Sequence, residues 1–326
     1  MKGSSIRGKR VIVTGGAGVI GRELLKLMIE NGASVLSVDR YPLPEGDWSE
    51  VSHIQKDLTT NSLDELLDFQ PGAIFHLAAA FERSKESPEF WDTNWHDNAL
   101  LSHRVVDLAK EIPNLEVFVF TSSYLVYSPY LYLSPSLHDE VVCLKEDDLI
   151  LPRNLCGAAK YYTEREIKFV KEVLNPSLRT IYARIFRVYG CGSRDVISRW
   201  VRAALSGQEI KVYNKENRFD YIFARDVAEG LLKLAESQDA EGPVNLGSGT
   251  PHSIQEVLNF LAKYAPSSRL RVRDTGVREP FEASGASLTK LKQLTDWVPP
   301  TDLEKGIKTI IEFEQGRASP EVAHGQ

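Results

Sequence analysis

Residues Arg10–Asp39 read RVIVTGGAGVIGRELLKLMIENGASVLSVD, and this stretch decides the fold. Arg10 to Thr14 form a short β-branched run, as expected of a strand buried on both faces. Gly15 to Gly21 then make a turn whose glycines satisfy both G-x-x-G-x-x-G and, from Gly16, G-x-G-x-x-G. Leu24, Leu25, Leu27 and Met28 supply the apolar stripe of a helix that Asn31-Gly32 ends. Ser34 to Val38 form a second strand, which stops at Asp39. Strand, glycine turn, helix and strand, with an acid 18 residues past Gly21, is the context in which such glycines bind a dinucleotide. The glycines let the backbone approach a pyrophosphate, and the helix N-terminus offers it unpaired N–H groups.

The alternation continues outward. AIFHLAA (Ala73–Ala79) reads as a strand, Asp97 to Ile112 as a helix and LEVFVFTS (Leu115–Ser122) as a strand. A helix over Leu155–Leu174 and a strand over Thr180–Phe186 follow. Strands separated by helices predict a Rossmann-type, doubly wound parallel sheet in an α/β fold. Beyond Tyr189-Gly190 the pattern loosens. The predicted division is 1–186 plus about 214–244 for a nucleotide-binding domain, 187–213 and 245–315 for a smaller, discontinuous substrate region, and 316–326 for a tail.

Composition narrows the class. The 326 residues carry 39 Lys and Arg against 45 Asp and Glu, a net charge of −6 that speaks against nucleic-acid or anionic-membrane partners. Three scattered cysteines, Cys143, Cys156 and Cys191, are too few for a disulfide framework or a zinc site, so no metal and a cytoplasmic setting are expected. No apolar run approaches the ~20 residues of a membrane helix, and the N-terminus lacks the features of a signal peptide.

The chain resembles the extended short-chain dehydrogenase/reductase family, specifically its NAD-dependent nucleotide-sugar epimerases and dehydratases. The resemblance rests on TGGAGVIG (14–21), Asp39, Asp57, HLAA (76–79), Asn94, TSSYLVY (121–127), CGAAK (156–160), RIFRVYG (184–190), NLGSG (245–249) and REPFEASGASLTKLKQLTDWVPP (278–300). It implies a bound NAD, a nucleotide-sugar substrate and a homodimer formed through the helices near 97–112 and 155–174. Gly15, Gly18, Val19, Ile20 and Gly21 then cradle the pyrophosphate. Asp39 holds the adenosine ribose and disfavours a 2′-phosphate, with Arg40 beside it read as a solvated side chain. Asp57 and Leu58 lie at the adenine edge, although Asp57 reads equally well as a local cap. Leu77, Ala78, Ala79, Asn94, Thr121 and Lys160 complete the cofactor set.

The family carries its proton chemistry on a Ser or Thr, a Tyr and a Lys. Ser123 matches the first and Lys160 the last, but the tyrosine of Y-x-x-x-K is Cys156. Three readings stand side by side: a working thiol acid/base, a small filler with another group moving the proton, and a site that has lost redox chemistry. Tyr124 and Glu82, at the rim where ligands bind in such folds, are the reserve candidates. On the substrate side Arg187, Arg218 and Arg278 are the candidate diphosphate contacts, with surface salt bridges as the alternative. Arg218 lies one residue out of register with the family's R-D-F-x-Y-V, and Arg187 stands where asparagine is usual. His76 reads as a satisfied core histidine, and Trp91 and Trp95, at i and i+4, as a helix-packing pair.

Overall fold

The computed structural model describes residues 6–81, 87–134, 140–265, 270–276 and 280–318. Its centre is β1 (Arg10–Thr14), α1 (Val19–Glu30), β2 (Ser34–Asp39), β3 (Val51–Gln55), α2 (Asp64–Asp68), β4 (Ala73–His76), α3 (Phe90–Asn94), α4 (Leu101–Lys110) and β5 (Val117–Ser123). Short strands β6 (Leu133–Ser134) and β7 (Val142–Leu144) precede α5 (Leu155–Phe169) and β8 (Arg179–Ile185). Next come β9 (Arg187–Tyr189), α6 (Val196–Ser206), β10 (Glu209–Val212), β11 (Arg218–Phe219), β12 (Tyr221–Phe223), α7 (Ala224–Glu236) and β13 (Gly242–Leu246). The chain ends with β14 (His252–Ser253), α8 (Ile254–Tyr264), β15 (Arg271–Asp274), β16 (Phe281–Ala286), α9 (Thr289–Thr295) and α10 (Leu303–Ala318).

Seven strands form one parallel sheet in the order β13-β8-β5-β4-β1-β2-β3. Alternation along each strand feeds two cores. Val11, Val13, Phe75, Val117 and Val119 pack under α1 and α7, while Ile12, Ile74, Phe118 and Phe120 pack under α4 and α5. Both faces are therefore apolar, as a parallel sheet flanked by crossover helices requires. The strand order reverses between β1 and β4, so the crevice for a ligand opens at their C-terminal ends.

A separate core joins Tyr189, Ile197, Val201, Phe219, Tyr221, Ile254, Val257 and Ile307. It belongs to the smaller lobe, built from α6, α8, α10 and the short strands. Several boundaries differ from the sequence reading. β4 stops at His76 because the hydroxyl of Thr14 accepts from Ala78 N and the chain leaves the sheet over the glycine turn. The helix expected from Asp97 starts at Phe90 and passes through a π-helical turn over Trp95–Leu100. α10 runs to Ala318, into the segment expected to be tail. β3 has no apolar alternation in VSHIQ and forms only because β2 offers it an edge. Trp91 and Trp95 are exposed rather than packed against their own subunit.

Candidate functional site

Two cavities meet the rim of the sheet. The first, about 760 Å³, lies over the glycine turn and is lined by Gly15, Gly18, Val19, Asp39, Arg40, Leu58, Leu77, Ala78 and Ala79. Its floor depends on missing side chains. Gly15 has φ +77°, and a Cβ there would lie 2.6 Å from Ala78 N. A Cβ on Gly21 would lie 2.1 Å from the carbonyl oxygen of Gly15, so only glycine lets α1 approach β1 so closely. No side chain caps the N-terminus of α1, and Gly18 and Val19 at its start line the cavity. Asp39 accepts from Ala17 N at 3.1 Å and from Tyr41 N at 3.0 Å, which places its carboxylate against the turn. A closely approached glycine turn, an open helix N-terminus and a carboxylate at the end of the second strand fit an adenine dinucleotide.

Arg40 differs from expectation. It is not a solvated side chain but forks onto Asp97, at 3.0 and 2.6 Å, with Asp57 at 3.7 Å. The hydrogen bond to Asp97 raises its pKa, so the guanidinium is already matched by carboxylates rather than waiting for a phosphate. Asp57 caps its own turn: Oδ1 accepts from Thr59 N at 2.8 Å and from Thr59 Oγ1 at 2.7 Å, which, with Arg40, holds its pKa low. Asn94 and Thr121 do not line this cavity. Asn94 accepts from Asn98, which in turn takes Ala80 N, and the Thr121 hydroxyl donates to the carbonyl of His76. Both fix the backbone that borders the cofactor cavity. Sequence reasoning missed Arg22, Asp97 and Arg194, which share the lining. None of the three carried a signal along the chain.

Beside this cavity, α5 packs on the end of β5. A Cβ on Gly157 would lie 2.4 Å from the carbonyl oxygen of Leu125, so the first turn of α5 sits directly against Ser123–Leu125. Ser123 is half-buried, and its Oγ accepts from Leu125 N at 3.2 Å. Cys156 is buried in that first turn, and Asn154 caps the helix by accepting from Gly157 N at 2.9 Å. Lys160, one turn on and 7% exposed, holds its ammonium 4.7 Å from the centre of the Phe120 ring. Burial pushes its pKa down to about 8, partly offset by Cys156. His76 is a satisfied core residue, bonded to Thr14 and Ser102 and driven by burial to a pKa of about 3.

A buried network holds the strand ends. Ser122 donates to Glu164 at 2.5 Å, and Arg184 reaches the same carboxylate at 3.1 and 2.9 Å. Tyr127 donates to Asn245 at 2.7 Å, and Asp220 takes the amides of Ser248, Gly249 and Ala286. The NLGSG bend is thus tied down internally through the amides of Ser248 and Gly249.

The second cavity, about 1290 Å³, lies between the rim and the smaller lobe. Tyr124, Leu125, Arg153, Asn154 and Arg187 line it from the sheet side; Trp200, Lys211, Tyr213, Phe219 and Tyr221 line it from the other. Its volume suits a ligand larger than a monosaccharide. Tyr124 does not suit the acid/base role held in reserve for it. Its ring stacks on Phe186, its hydroxyl donates to Glu282 at 3.2 Å, and burial pushes its pKa up, so it remains a neutral phenol. Arg218 is also displaced from its expected role. β11 turns Phe219 into the cavity and leaves Arg218 exposed, 3.8 Å from Glu256. Glu82 and Arg278 lie outside the described residues. Among the described residues no cluster could hold a metal, and no helix is long and apolar enough to cross a membrane.

The NAD dependent epimerase/dehydratase family model matches residues 11–247. UDP-glucuronic acid decarboxylase 2 of Arabidopsis thaliana is 26% identical over 324 residues, spanning 95% of this chain and 69% of its own length. UDP-N-acetyl-alpha-D-glucosaminuronate decarboxylase of Bacillus cytotoxicus is 26% identical, across 94% of this chain and 97% of its own. Among solved structures, MoeE5 in complex with UDP-glucuronic acid and NAD superposes with a TM-score of 0.81 at 28% identity, covering 94% of this chain and 99% of that one.

Proposed function

The chain belongs to the NAD-dependent epimerase/dehydratase family, an enzyme family, and on that premise we propose that it uses bound NAD to epimerise a UDP-sugar through a transient keto-sugar. One observation supports this reading: a glycine cradle fit for a dinucleotide opens at the same sheet rim as a larger cavity whose lining includes Leu125 and Asn154, two residues from Ser123 and Cys156 respectively. The uridine base is taken from the named relatives. NAD, when bound, supplies a hydride acceptor and donor. Gly15, Gly18 and Val19 hold its pyrophosphate, Asp39 its ribose, and Lys160 orients the nicotinamide end. Ser123 hydrogen-bonds the reacting hydroxyl. Cys156 or a water beside it takes that proton and later returns it, and inversion follows when the keto-sugar turns over before reduction.

The decarboxylase relatives favour a second reading with the same first step. If the ketone forms β to a carboxylate, the C–C bond breaks, CO₂ leaves, and the electron pair enters an enol that is reprotonated before reduction. We place the enzyme in the cytoplasm, since its three cysteines form no disulfide. We also propose a homodimer through α4 and α5, the helices near 97–112 and 155–174, with Trp91, Trp95, Tyr162 and Phe169 exposed on or beside them; light scattering that reports a monomer removes that assignment.

The test is isotopic. NAD-loaded protein is mixed with UDP-glucose or UDP-glucuronic acid deuterated at the sugar carbon, and label is followed into the dihydronicotinamide and back into sugar. Label that never reaches the dihydronicotinamide, although cofactor and sugar nucleotide both bind, rules out redox chemistry. Cys156→Ser then decides the thiol's part: unchanged turnover removes it from proton transfer, while a gain of activity in Cys156→Tyr marks a decayed site.

A further inference from the structure

Glu282, on β16, is 3% exposed, yet two arginines close on it from the wall of the larger cavity. Arg153 Nη1 donates to Oε2 at 2.6 Å, and Arg187 Nη2 lies 3.4 and 3.3 Å from the two oxygens. The Tyr124 hydroxyl adds a third donor. Burial alone would raise the Glu282 pKa, but Arg187 and Arg153 outweigh it and hold the carboxyl below its usual range. Two guanidinium cations on one carboxylate leave one positive charge. Their faces are supported by aromatic rings, Arg187 on Phe219 at 3.7 Å and Arg153 near Tyr132 at 5.8 Å. Their side chains remain 30% and 35% exposed, towards the cavity, and Arg187 Nε is buried without a hydrogen-bond partner. The group is built to hold guanidinium edges in place and is one anion short.

Its position names the anion. Arg153 immediately precedes Asn154, the cap of α5, and its own N–H donates to the carbonyl of Leu125 at 2.9 Å. The guanidinium therefore stands at the end of the cavity lined by Tyr124, Leu125 and Asn154, the chain neighbours of Ser123 and Cys156, and that end is the place for the reacting sugar. Across the cavity, α6 and β10 form the opposite wall, which leaves that side for the nucleoside end. Resting on the nucleotide-sugar reading above, we propose that Arg153 and Arg187, braced by Glu282, select a sugar bearing a carboxylate, a uronic acid, over the neutral hexose. A forked guanidinium meets a planar carboxylate with two parallel hydrogen bonds, whereas a hydroxymethyl group would leave the buried charge unmatched.

The experiment titrates NAD-loaded full-length protein with UDP, UDP-glucose and UDP-glucuronic acid by calorimetry. The expected result is at least tenfold tighter binding of UDP-glucuronic acid than of UDP-glucose, about 1.4 kcal/mol. Arg153→Gln should bring that ratio to within about twofold and leave UDP affinity unchanged. Because that variant strands a buried carboxylate, Arg153→Gln/Glu282→Gln is measured beside it and should show the same loss of preference. Equal affinity for the two sugars in the wild type overturns the proposal while leaving the nucleotide-sugar reading intact. So does a preference that survives in both variants, which would make the triad purely structural. A loss of UDP affinity as large as that of UDP-glucuronic acid assigns the arginines to the diphosphate instead. Binding of none of the three removes the nucleotide-sugar reading itself, and this inference with it.

Discussion

Replacing Lys160 by methionine should make the cofactor-free protein more stable at neutral pH and a poorer binder of NAD. The ammonium is 7% exposed, and burial moves its pKa from 10.5 to about 8. At about 1.4 kcal/mol per pH unit, keeping that charge costs the folded state roughly 3 kcal/mol. Contact with the Phe120 ring, about 1 kcal/mol, offsets part of what the variant gains. The net gain at pH 7 is therefore about 2 kcal/mol. The penalty fades with pH in a defined window. Below pH 8 both states hold the proton and the penalty is complete. Between about 8 and 10.5 the unfolded chain binds more protons than the folded one, so wild-type stability rises with pH. Above that window both amines are neutral and the difference closes. Urea unfolding of wild type and Lys160→Met at pH 7, 9 and 10.5 reads the gap directly, because the other titrating groups cancel between the two proteins. A gap independent of pH, or a variant less stable at pH 7, would falsify the claim that Lys160 is a charge held against its desolvation.

Further perturbations follow from the same geometry. Gly157→Ala drives a Cβ to within 2.4 Å of the Leu125 carbonyl oxygen and should lower stability by about 1–3 kcal/mol while parting α5 from β5; an unchanged melting temperature would show that the contact relaxes freely. Glu164→Gln leaves Arg184 buried without its counter-charge and should cost about 3–5 kcal/mol in denaturant unfolding, whereas Glu164→Met/Arg184→Met should recover most of it; a double variant as unstable as the single one refutes the pairing argument. Asp39→Ala should weaken NAD binding and erode its preference over NADP. Arg40→Ala should leave that preference in place, since Arg40 is engaged by Asp97, and a switch in preference with Arg40→Ala would reverse the assignment.

What the sequence by itself determined is the part of the molecule that is local. The glycine turn, the stripe of α1, the acid ending β2 and the β-branched runs each act over one helix turn or one strand, and their periodicities specify an α/β alternation before any contact is known. The glycine cradle was legible for the same reason, because its spacing is a fact of the chain, whereas Ser123, Cys156 and Lys160 were expected from the resemblance to a family. Tertiary structure alone decided how charges pair. Arg40 and Asp97 are 57 residues apart, Arg153 and Glu282 are 129, and no pattern along the chain says which carboxylate a given arginine will meet. Tertiary packing also chose which way β11 faces. With only Arg218 and Phe219 in the strand, one orientation both buries the ring and keeps the guanidinium in solvent, so the phenylalanine faces the cavity and the arginine lies outside it. Charges buy stability only through partners supplied by the fold, which is why the cofactor cradle was legible in the sequence and the wall of the substrate cavity was not.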